Sequence, residues 1–415
     1  MSGRTNRRWI VMFALVLTGG TIYTLPYLRQ AFHATMLEAL GVTNQELGWL
    51  NSSFGVLALI CYLPGGWVAD KVSARKLLTV SMLVTGATGF AFAALPPYPI
   101  LIALHALWGV TTILTYWAAL IKATRAWGTA DEQGKAFGFL DGGRGLIEGG
   151  VGLVAIFVFG QFANRVAGLQ GVIVTYSVAT IVGGVLAWFF IPEPKGDEAS
   201  TAVSLEQFGI VAKMPVVWAH ALVILFAYFA YWGTFDIAAF ATDAFGQSDA
   251  FGAELANARN FIRPVAAITA GFLADKIKPS RAVTAGFLTL VVAYGAMAAI
   301  PTAASALWLL WIDIAVVAIA VYALRGVYYA LLEEGGVPVY LTGTAVGFVS
   351  IIGYTPDIVM PIFTGWLLDT FPGAAGHRYL YGALAFGAIA GVVATRAIVM
   401  LSQSEPSEVM VEEAA

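Results

Sequence analysis

Long apolar stretches separated by short polar breaks dominate the chain. A helix needs about 20 apolar residues to cross the hydrocarbon core of a bilayer, and the chain contains twelve such stretches. The breaks carry loop residues, such as Pro96-Pro97 and Pro372-Gly373. We predict an all-α membrane protein with twelve spans, near residues 8–29, 46–68, 75–95, 97–121, 136–161, 168–192, 213–237, 250–274, 281–300, 303–328, 341–368 and 378–401.

The longest polar stretch between spans follows the sixth span and divides the chain near its midpoint. The first apolar run lacks a small-residue cleavage pattern, so we expect it to be a retained span rather than a signal peptide. The predicted organisation is an N-terminal six-helix bundle at 1–192, a cytoplasmic linker at 193–212, a C-terminal six-helix bundle at 213–401 and an acidic, disordered cytoplasmic tail at 402–415.

Composition supports a membrane protein and excludes several other classes. Charged residues make up 11% of the chain, against about 25% in a soluble domain. One cysteine, Cys61, excludes an intramolecular disulfide, and four scattered histidines give no metal-ligand spacing. The net charge of −3 offers no basic field for nucleic acid. We find no catalytic cluster and no phosphate-binding Gly-Lys-Ser/Thr loop, so we expect no enzyme activity, no cofactor and no ATP coupling.

Basic residues concentrate in the loops on one side of the predicted membrane. With the N-terminus in the cytoplasm, fourteen of the 22 lysines and arginines fall on that side. The opposite loops hold only Arg29, Arg165 and Arg378. Because cytoplasmic loops carry an excess of Lys and Arg, we predict a multi-pass inner (plasma) membrane protein with both termini in the cytoplasm.

One loop pattern occurs twice, 205 residues apart. The first copy runs from Gly66 through Val68-Ala69-Asp70-Lys71 to Arg75-Lys76, and the second from Gly271 through Leu273-Ala274-Asp275-Lys276 to Arg281. A glycine at a helix end allows a neighbouring helix to approach closely, and an Asp followed by basic residues can form a charge lock between helices. We predict a conformational lock formed by Gly66, Asp70, Arg75, Gly271, Asp275 and Arg281.

This pattern resembles the loop motif G-x-L-A-D-R-x-G-R-K of the major facilitator superfamily. The first copy matches at Gly66, Ala69 and Asp70, with Lys71 in place of the first arginine. The resemblance covers all twelve spans. It implies two six-helix bundles around a central cavity, alternating access between the two sides of the membrane, and contact between spans five and eight across the halves.

Ionisable residues at membrane depth are costly and mark candidate functional sites. In span five, Asp141, Arg144 and Glu148 share one helical face. Arg263 in span eight lies at nearly the same height as Glu148, so we predict that these two residues pair across the halves. The alternative is an ion cluster within span five that only seals the cytoplasmic end. Arg263 and Arg144 have no charged counterpart at the repeat spacing, which favours a role in substrate binding.

Other candidates lie in the remaining spans. Asp357 follows Pro356 in span eleven, where the proline loosens the helix. We assign proton coupling or an inter-bundle ion pair to Glu148, Asp141 and Asp357. Asp236 and Asp313 lie nearer the outer ends, where we expect hydrated structural charges. Tyrosine offers both a ring face and a hydroxyl to a ligand, and the predicted substrate-binding residues are Arg144, Arg263, Tyr23, Tyr116, Arg325 and Tyr354.

The central residues carry more positive than negative charge, which favours an anionic substrate. The planar guanidinium of arginine matches carboxylate, phosphate or sulfonate oxygens. The chain resembles bacterial inner-membrane transporters of small organic anions, in its span-one stretch Gly19 to Pro26 and its span-five stretch Phe137 to Gly145. We therefore predict a secondary active transporter, monomeric in the lipid bilayer, with protons or a counter-anion as a further partner. The alternative is a proton-coupled symporter of a neutral sugar or another small polar solute.

Overall fold

The computed structural model describes residues 2–128, 132–193, 205–274, 277–338 and 341–404. Most of these residues lie in helices, and no strand occurs among them. Much of the predicted linker and the acidic tail after Ser404 lie outside the described residues. The prediction of an all-α chain is confirmed.

The first half of the chain forms spans 1 to 6. Its helices are α1 (Ser2–Thr21), α2 (Arg29–Leu40), α3 (Asn44–Lys71), α4 (Ala74–Ala93), α5 (Tyr98–Gly109), a π-helix (Val110–Trp117), α6 (Ala118–Trp127), α7 (Gln133–Gly160) and α8 (Arg165–Phe190). Span 1 consists of α1 and α2, which a turn separates. Span 4 continues through α5, the π-helix and α6, while spans 2, 3, 5 and 6 are α3, α4, α7 and α8.

The second half forms spans 7 to 12. Its helices are α9 (Leu205–Ala212), α10 (Pro215–Gly233), α11 (Ile237–Phe245), α12 (Asp249–Ala274), α13 (Pro279–Ala299), α14 (Leu307–Val327), α15 (Leu331–Glu334), α16 (Thr342–Gly353), α17 (Pro356–Thr370) and α18 (Ala374–Ser404). Span 7 is α10 with α11, span 10 is α14 with α15, and span 11 is α16 with α17. Spans 8, 9 and 12 are α12, α13 and α18, and α9 lies in the predicted linker.

The two halves repeat each other closely at the spacing of 205 residues. Helices α2 and α11 both end at a glycine in the left-handed region, Gly41 and Gly246, each with a φ of 62°. The next helix begins three residues later in both halves, at Asn44 and at Asp249. Glycine adopts this backbone conformation without a steric penalty. The chain therefore forms twelve transmembrane helices in two pseudo-symmetric six-helix bundles, as predicted.

Nine described helical segments are long and apolar enough to cross a bilayer, and the bent α3 makes ten. Helix α3 bends by 60° between Tyr62 and Pro64, where the proline removes a backbone hydrogen bond. Spans 1 and 8 are the two that remain, and α12 carries Arg259 and Arg263 in its interior. In span 1 the arginines lie at the start of α1, which ends at Thr21, whereas in span 8 the two arginines lie inside the helix. Span 8 is therefore the exception that points to charge at the centre of the molecule.

Four pairs of helices join the halves: α3 packs on α17, α7 packs on α12, and α2 packs on both α11 and α12. A methyl group at Gly48 on α3 would overlap the carbonyl oxygen of Pro361. On α7, a methyl group at Gly145 would lie 2.8 Å from the carbonyl oxygen of Asn260. Helices in lipid associate through close packing of this kind, because lipid tails remove the hydrophobic driving force between them. Glycines therefore set the distance between the two bundles.

The two bundles are in contact at one end and apart at the other. Both chain ends lie on one side, which we call the termini side; the other is the opposite side. Gly48 and Gly365 near the opposite side have no room for a methyl group. Gly66 on α3 and Gly138 on α7, near the termini side, have no neighbouring atom within 4 Å. The space between the bundles therefore opens toward the termini side.

Three spans that the hydrophobic pattern predicts as continuous are broken. Span 1 stops at Thr21 and resumes at Arg29, and Pro26 lies in the gap. Span 7 is interrupted after Gly233. Span 11 is interrupted before Pro356, as expected from a proline that cannot donate a backbone hydrogen bond. Backbone groups in these breaks bond within short turns, such as Tyr27 N to the Tyr23 carbonyl and Phe235 N to the Trp232 carbonyl.

We expect Gly48→Val to destabilise the protein because the added side chain collides with the backbone of α17. Overpacking of this kind costs about 1–3 kcal/mol, so the thermal unfolding midpoint of the purified protein should fall. Gly66→Val is the matched control on the same helix and should leave the midpoint unchanged. Equal midpoints for the two variants would contradict the proposed role of Gly48 at the interface.

Candidate functional site

Irregular backbone occurs in corresponding spans of the two halves. Span 1 is broken at residues 22–28, and its counterpart, span 7, is broken at 234–236. Span 4 contains the π-helix, and its counterpart, span 10, contains a 3₁₀ turn at Tyr328–Ala330. Interruptions in corresponding spans of two repeats point to a binding site, and π-helical segments are frequent at functional sites. The candidate site therefore lies where these four spans meet.

Aromatic side chains from both halves meet at these interruptions. The Tyr27 ring in the span 1 break lies 5.4 Å from the Phe235 ring in the span 7 break, measured between centroids. The Tyr62 ring of α3 stacks on the Tyr354 ring at 5.6 Å. We call the set that surrounds the centre the aromatic cluster: Tyr23, Tyr27, Tyr62, Tyr116, Trp117, Tyr228, Tyr231, Trp232, Phe235, Tyr322, Tyr329 and Tyr354. It offers both ring faces and hydroxyl groups to a ligand.

Arg144 reaches from α7 into the aromatic cluster on the side of the first half. Its Nε donates a hydrogen bond to the carbonyl oxygen of Gly19, 3.0 Å away. The guanidinium lies 5.4 Å from the centre of the Trp117 ring and 5.9 Å from that of Tyr23. Although Asp141 and Glu148 share its helical face, Arg144 forms no salt bridge with either. The alternative of a self-satisfied ion cluster within span 5 is therefore wrong for this conformation.

Arg325 reaches from α14 into the part of the aromatic cluster that belongs to the second half. Its guanidinium lies 4.0 Å from the centre of the Tyr231 ring and 5.5 Å from that of Tyr228. The Nη1 atom is buried and has no hydrogen-bond partner in the part of the chain that the structure describes. Cation–π contacts supply about 0.5–2 kcal/mol, but they do not neutralise the charge. Arg325 can therefore still accept an anion.

The three predicted tyrosines lie in this cluster. The Tyr354 hydroxyl is 2.9 Å from the Tyr329 hydroxyl. The Tyr116 hydroxyl donates to the Thr18 Oγ1 over 3.0 Å, and this side chain is fully buried. Tyr23 lies beside Tyr116, with 6.4 Å between ring centroids. Tyr354 and Tyr23 are thus placed to face a ligand, whereas Tyr116 supports Tyr23 from behind.

An ion cluster joins span 5 to span 8. Arg263 forms a salt bridge with Asp141, and its Nη1 lies 3.8 Å from a carboxylate oxygen of Glu148. The expected contact between Glu148 and Arg263 is therefore present, but it is longer than the contact between Asp141 and Arg263. Asp141 is the main partner of Arg263 in this three-residue cluster. The Arg263 side chain is 9% exposed. Its buried charge is compensated by the two carboxylates that lie beside it. In this conformation Arg263 holds the halves together and is not free to bind an anion.

Asp357 is buried beside the same cluster without a cationic partner of its own. The indole N–H of Trp232 donates to Asp357 Oδ1 over 2.8 Å. The Asp357 carboxyl lies at the start of α17, directly after the break in span 11, and its backbone carbonyl packs against Gly55 of α3. A buried carboxyl that is held by a neutral donor can gain or lose a proton without breaking a salt bridge. This arrangement suits the proton-coupling role assigned to it.

A second polar cluster seals the opposite side, and sequence reasoning missed it. Arg29 on α2 forms a salt bridge with Asp236, and the two side chains are 2% and 1% exposed. Arg259 donates hydrogen bonds to Gln30 and to the Thr234 backbone and side chain. The expectation of a hydrated Asp236 is wrong, because the breaks in spans 1 and 7 turn these residues inward. At the repeat spacing of 205 residues, Arg29 corresponds to Thr234, which lies two residues before Asp236. This correspondence is the sequence signal that could have related the two segments.

Between this cluster and the ion cluster lies a small polar cavity of about 40 Å³. Its lining includes Glu148, Asn257, Arg259 and Tyr27. A cavity of this size holds one or two water molecules, since one water needs roughly 10–15 Å³ by the same measure.

The predicted lock residues that the structure describes do not pair with each other in this conformation. Asp70 is exposed at the end of α3, and Arg75 lies 3.3 Å from Glu193, at the end of span 6. Gly66 faces open space, and Arg281 is exposed. Gly271 lies in the last turn of α12, while Asp275 lies outside the described residues. The expected pairing of Asp70 with basic residues is therefore absent from the first copy of the pattern, because Arg75 has a partner within its own bundle.

The fold and the site define a membrane transporter built from two six-helix bundles around a central polar cavity. The chain belongs to the Major Facilitator Superfamily, whose family model matches residues 9–361. This confirms the resemblance seen in the loop pattern.

Three relatives show the extent of the similarity. Inner membrane protein YqcE of Escherichia coli strain K12 is 31% identical over 403 residues, which cover 94% of both chains. Inner membrane protein YihN of the same strain is 27% identical over 423 residues, with 99% of this chain and 100% of YihN covered. The probable galactarate/D-glucarate transporter GudP of Bacillus subtilis strain 168 is 25% identical over 202 residues, 46% of this chain and 42% of GudP.

Solved structures share the fold at lower identity. A bacterial homologue of the human lysosomal transporter Spinster superposes with a TM-score of 0.74 at 16% identity, covering 96% of this chain and 97% of that one. A variant of the nucleoside transporter NupG gives a TM-score of 0.75 at 13% identity, with 94% and 98% covered. At these identities the likeness shows the fold alone.

We expect Arg29→Met to destabilise the protein strongly, because the substitution leaves Asp236 buried without its partner. Breaking a buried ion pair in this way costs about 3–5 kcal/mol, whereas replacing both partners by apolar residues is often neutral. The double variant Arg29→Met/Asp236→Leu should therefore recover most of the lost stability. Thermal unfolding of the three purified proteins checks this. If the double variant is as unstable as the single one, the pair does not act as a unit.

Proposed function

We propose that this transporter moves a small organic anion of the sugar-acid class through the central cavity by alternating access. The observation that carries the proposal is Arg325. Its guanidinium lies on the Tyr231 ring, and its buried Nη1 has no partner in the described part of the chain. A charge at membrane depth is costly unless it is compensated. An anionic substrate group would supply that compensation, through short charge-assisted hydrogen bonds.

Arg144 provides the second half of the argument. It bonds to a backbone carbonyl and faces two rings, but no carboxylate forms a salt bridge with it among the described residues. Arg263, in contrast, is already compensated by Asp141 and Glu148. Arg144 and Arg325 come from different bundles, so two carboxylates, or one carboxylate and polar hydroxyls, could bridge them. We therefore assign anion binding to Arg144 and Arg325 before Arg263.

The surroundings favour a polyhydroxylated substrate within the anion class. The hydroxyls of Tyr354 and Tyr329 lie together in the aromatic cluster and can exchange hydrogen bonds with sugar hydroxyls. The relative GudP carries the name of a probable galactarate/D-glucarate transporter, which supports a sugar acid over a phosphate or a sulfonate. Galactarate and D-glucarate are therefore the first substrates to test.

The proposed orientation follows from the basic loops. With both termini in the cytoplasm, the space that opens toward the termini side is the cytoplasmic entrance, and the cluster of Arg29 with Asp236 closes the outer side. We propose a monomer in the inner membrane. Protons or a counter-anion would drive transport, because the family works without ATP.

We expect Arg325→Gln to reduce uptake of D-glucarate into proteoliposomes by at least about tenfold. Hydrogen bonds to a charged partner contribute about 1.5–3 kcal/mol each, and the glutamine retains polarity while it removes the charge. Radiolabelled D-glucarate measures the initial rate. The matched control is Arg378→Gln, which removes an exposed arginine from α18 and should keep the wild-type rate.

Ligand-induced thermal stabilisation gives an independent result for the same pair. D-glucarate or galactarate should raise the unfolding midpoint of the wild type and of Arg378→Gln, but not that of Arg325→Gln. Unchanged uptake by Arg325→Gln would refute the assignment. Stabilisation by neutral galactose and by no anion would refute the anion class itself.

A second candidate function is proton-coupled symport of a neutral sugar, and Asp357 favours it. The carboxyl is buried, held by a neutral indole N–H, and adjacent to the aromatic cluster. In this case the carboxylate would compensate the buried arginine charge when deprotonated, and protonation would remove that compensation in another step of the cycle. The same residue could also couple protons to an anion, so its role is tested separately from substrate charge.

We expect Asp357→Asn to abolish the stimulation of uptake by an inward proton gradient while exchange of internal for external substrate continues. Asparagine keeps the hydrogen bond to Trp232 but cannot release a proton. The matched control is Glu254→Gln, which changes an exposed acid of α12. Gradient stimulation that survives in Asp357→Asn would exclude this residue as the proton site.

A further inference from the structure

A basic cavity lies on the outer surface of the second bundle, on the termini side and away from the central site. It measures about 420 Å³ and lies between the start of α13 and the end of α18. Three exposed cations, Lys278, Arg281 and Arg396, line it. Glu334 is the one acidic residue of its described lining, and it accepts hydrogen bonds from Ser280 N and Oγ over 2.7 and 2.6 Å. The cavity is therefore positively charged.

The corresponding corner of the first bundle is neutralised. Arg75 and Lys76 at the start of α4 each lie 3.3 Å from a carboxylate oxygen of Glu193. At the repeat spacing, Lys76 corresponds to Arg281, but Glu193 corresponds to Ile398. The second bundle keeps one of these two cations, Arg281, since Arg75 corresponds to Ser280. Lys278 and Arg396 add two more cations there, and Glu334 accepts its hydrogen bonds from Ser280. This asymmetry leaves its positive charge available to an outside partner.

The surface next to the cavity is apolar and suited to lipid tails. Leu288 lines the cavity and is 52% exposed, and Val393 on α18 is 63% exposed. An apolar groove of about 310 Å³ runs between α13 and α14, and it shares Ala285 with the basic cavity. The three cations thus lie where a lipid-facing surface ends, which is the level of the phospholipid headgroups.

We propose that this surface binds an anionic phospholipid, with the headgroup phosphate in the basic cavity and an acyl chain in the groove between α13 and α14. Basic residues at the membrane surface attract anionic lipids, and basic pockets between spans bind their headgroups. The continuity of the charged cavity with the apolar groove favours a lipid over a free anion, which would use the cations alone. The site is separate from the central cavity and does not depend on the transported substrate.

Native mass spectrometry of the full-length protein in detergent with equal amounts of phosphatidylglycerol and phosphatidylcholine tests this proposal. The wild type should retain phosphatidylglycerol in preference. The double variant Arg281→Gln/Arg396→Gln should retain about tenfold less of it, with phosphatidylcholine unchanged. The matched control, Arg75→Gln/Lys76→Gln, changes the neutralised corner of the first bundle and should retain as much as the wild type.

Three results would overturn the proposal. The first is equal retention of phosphatidylglycerol by the wild type and the Arg281/Arg396 variant. The second is an equal loss in the first-bundle control. The third is thermal stabilisation of the wild type by inorganic phosphate, or by a peptide of residues 405–415, without any by phosphatidylglycerol, since a soluble anion or the chain's own tail would then be the occupant. Should the double variant unfold, Lys278→Gln provides a milder test, with a smaller loss of phosphatidylglycerol expected.

Discussion

Charged side chains inside a membrane need a partner, and in this protein the partner often lies in the other half of the chain. Arg29 pairs with Asp236 near the opposite side, and Arg263 pairs with Asp141 closer to the centre. Desolvation makes each unpaired ion expensive, so these pairs hold the bundles together at two levels. A transporter has to separate its bundles on each side in turn. The cross-bundle pairs described here are therefore one set of contacts, which must break when the bundles separate on that side and a second set forms on the other.

Arg144 and Arg325 in the aromatic cluster have no such carboxylate partner among the described residues, and their placement links binding to movement. Arg144 belongs to the first bundle and Arg325 to the second, and each rests on aromatic rings instead of a carboxylate. A dianion held by both would replace the missing cross-bundle contact with a ligand. Such a ligand favours the conformations in which the two guanidinium groups are near each other, because a ligand shifts an equilibrium only by its differential affinity. The free energy of substrate binding would then also favour closure of the cavity.

The sequence predicts the spans, the two halves and their repeat, because apolar length and basic loops are local properties of the chain. Counting residues from the loops also places Glu148 and Arg263 at one height. It does not predict which carboxylate Arg263 prefers, nor that Arg75 turns to Glu193, since these choices depend on contacts over more than 100 positions. Arg29 and Asp236 look like loop residues until the broken spans 1 and 7 carry them inward. Partner choice is a tertiary property.

The identical glycine caps at Gly41 and Gly246 show how the molecule arose. Equal backbone angles at a constant offset, each followed by a helix that begins three residues later, are what duplication and fusion of a six-helix ancestor leave behind. Such an ancestor would have worked as a symmetric homodimer, with every charge present twice around the axis. Fusion freed each copy to diverge alone. Arg144, Arg263 and the basic corner of the second bundle are products of that freedom, so ligand recognition is younger than the scaffold that carries it.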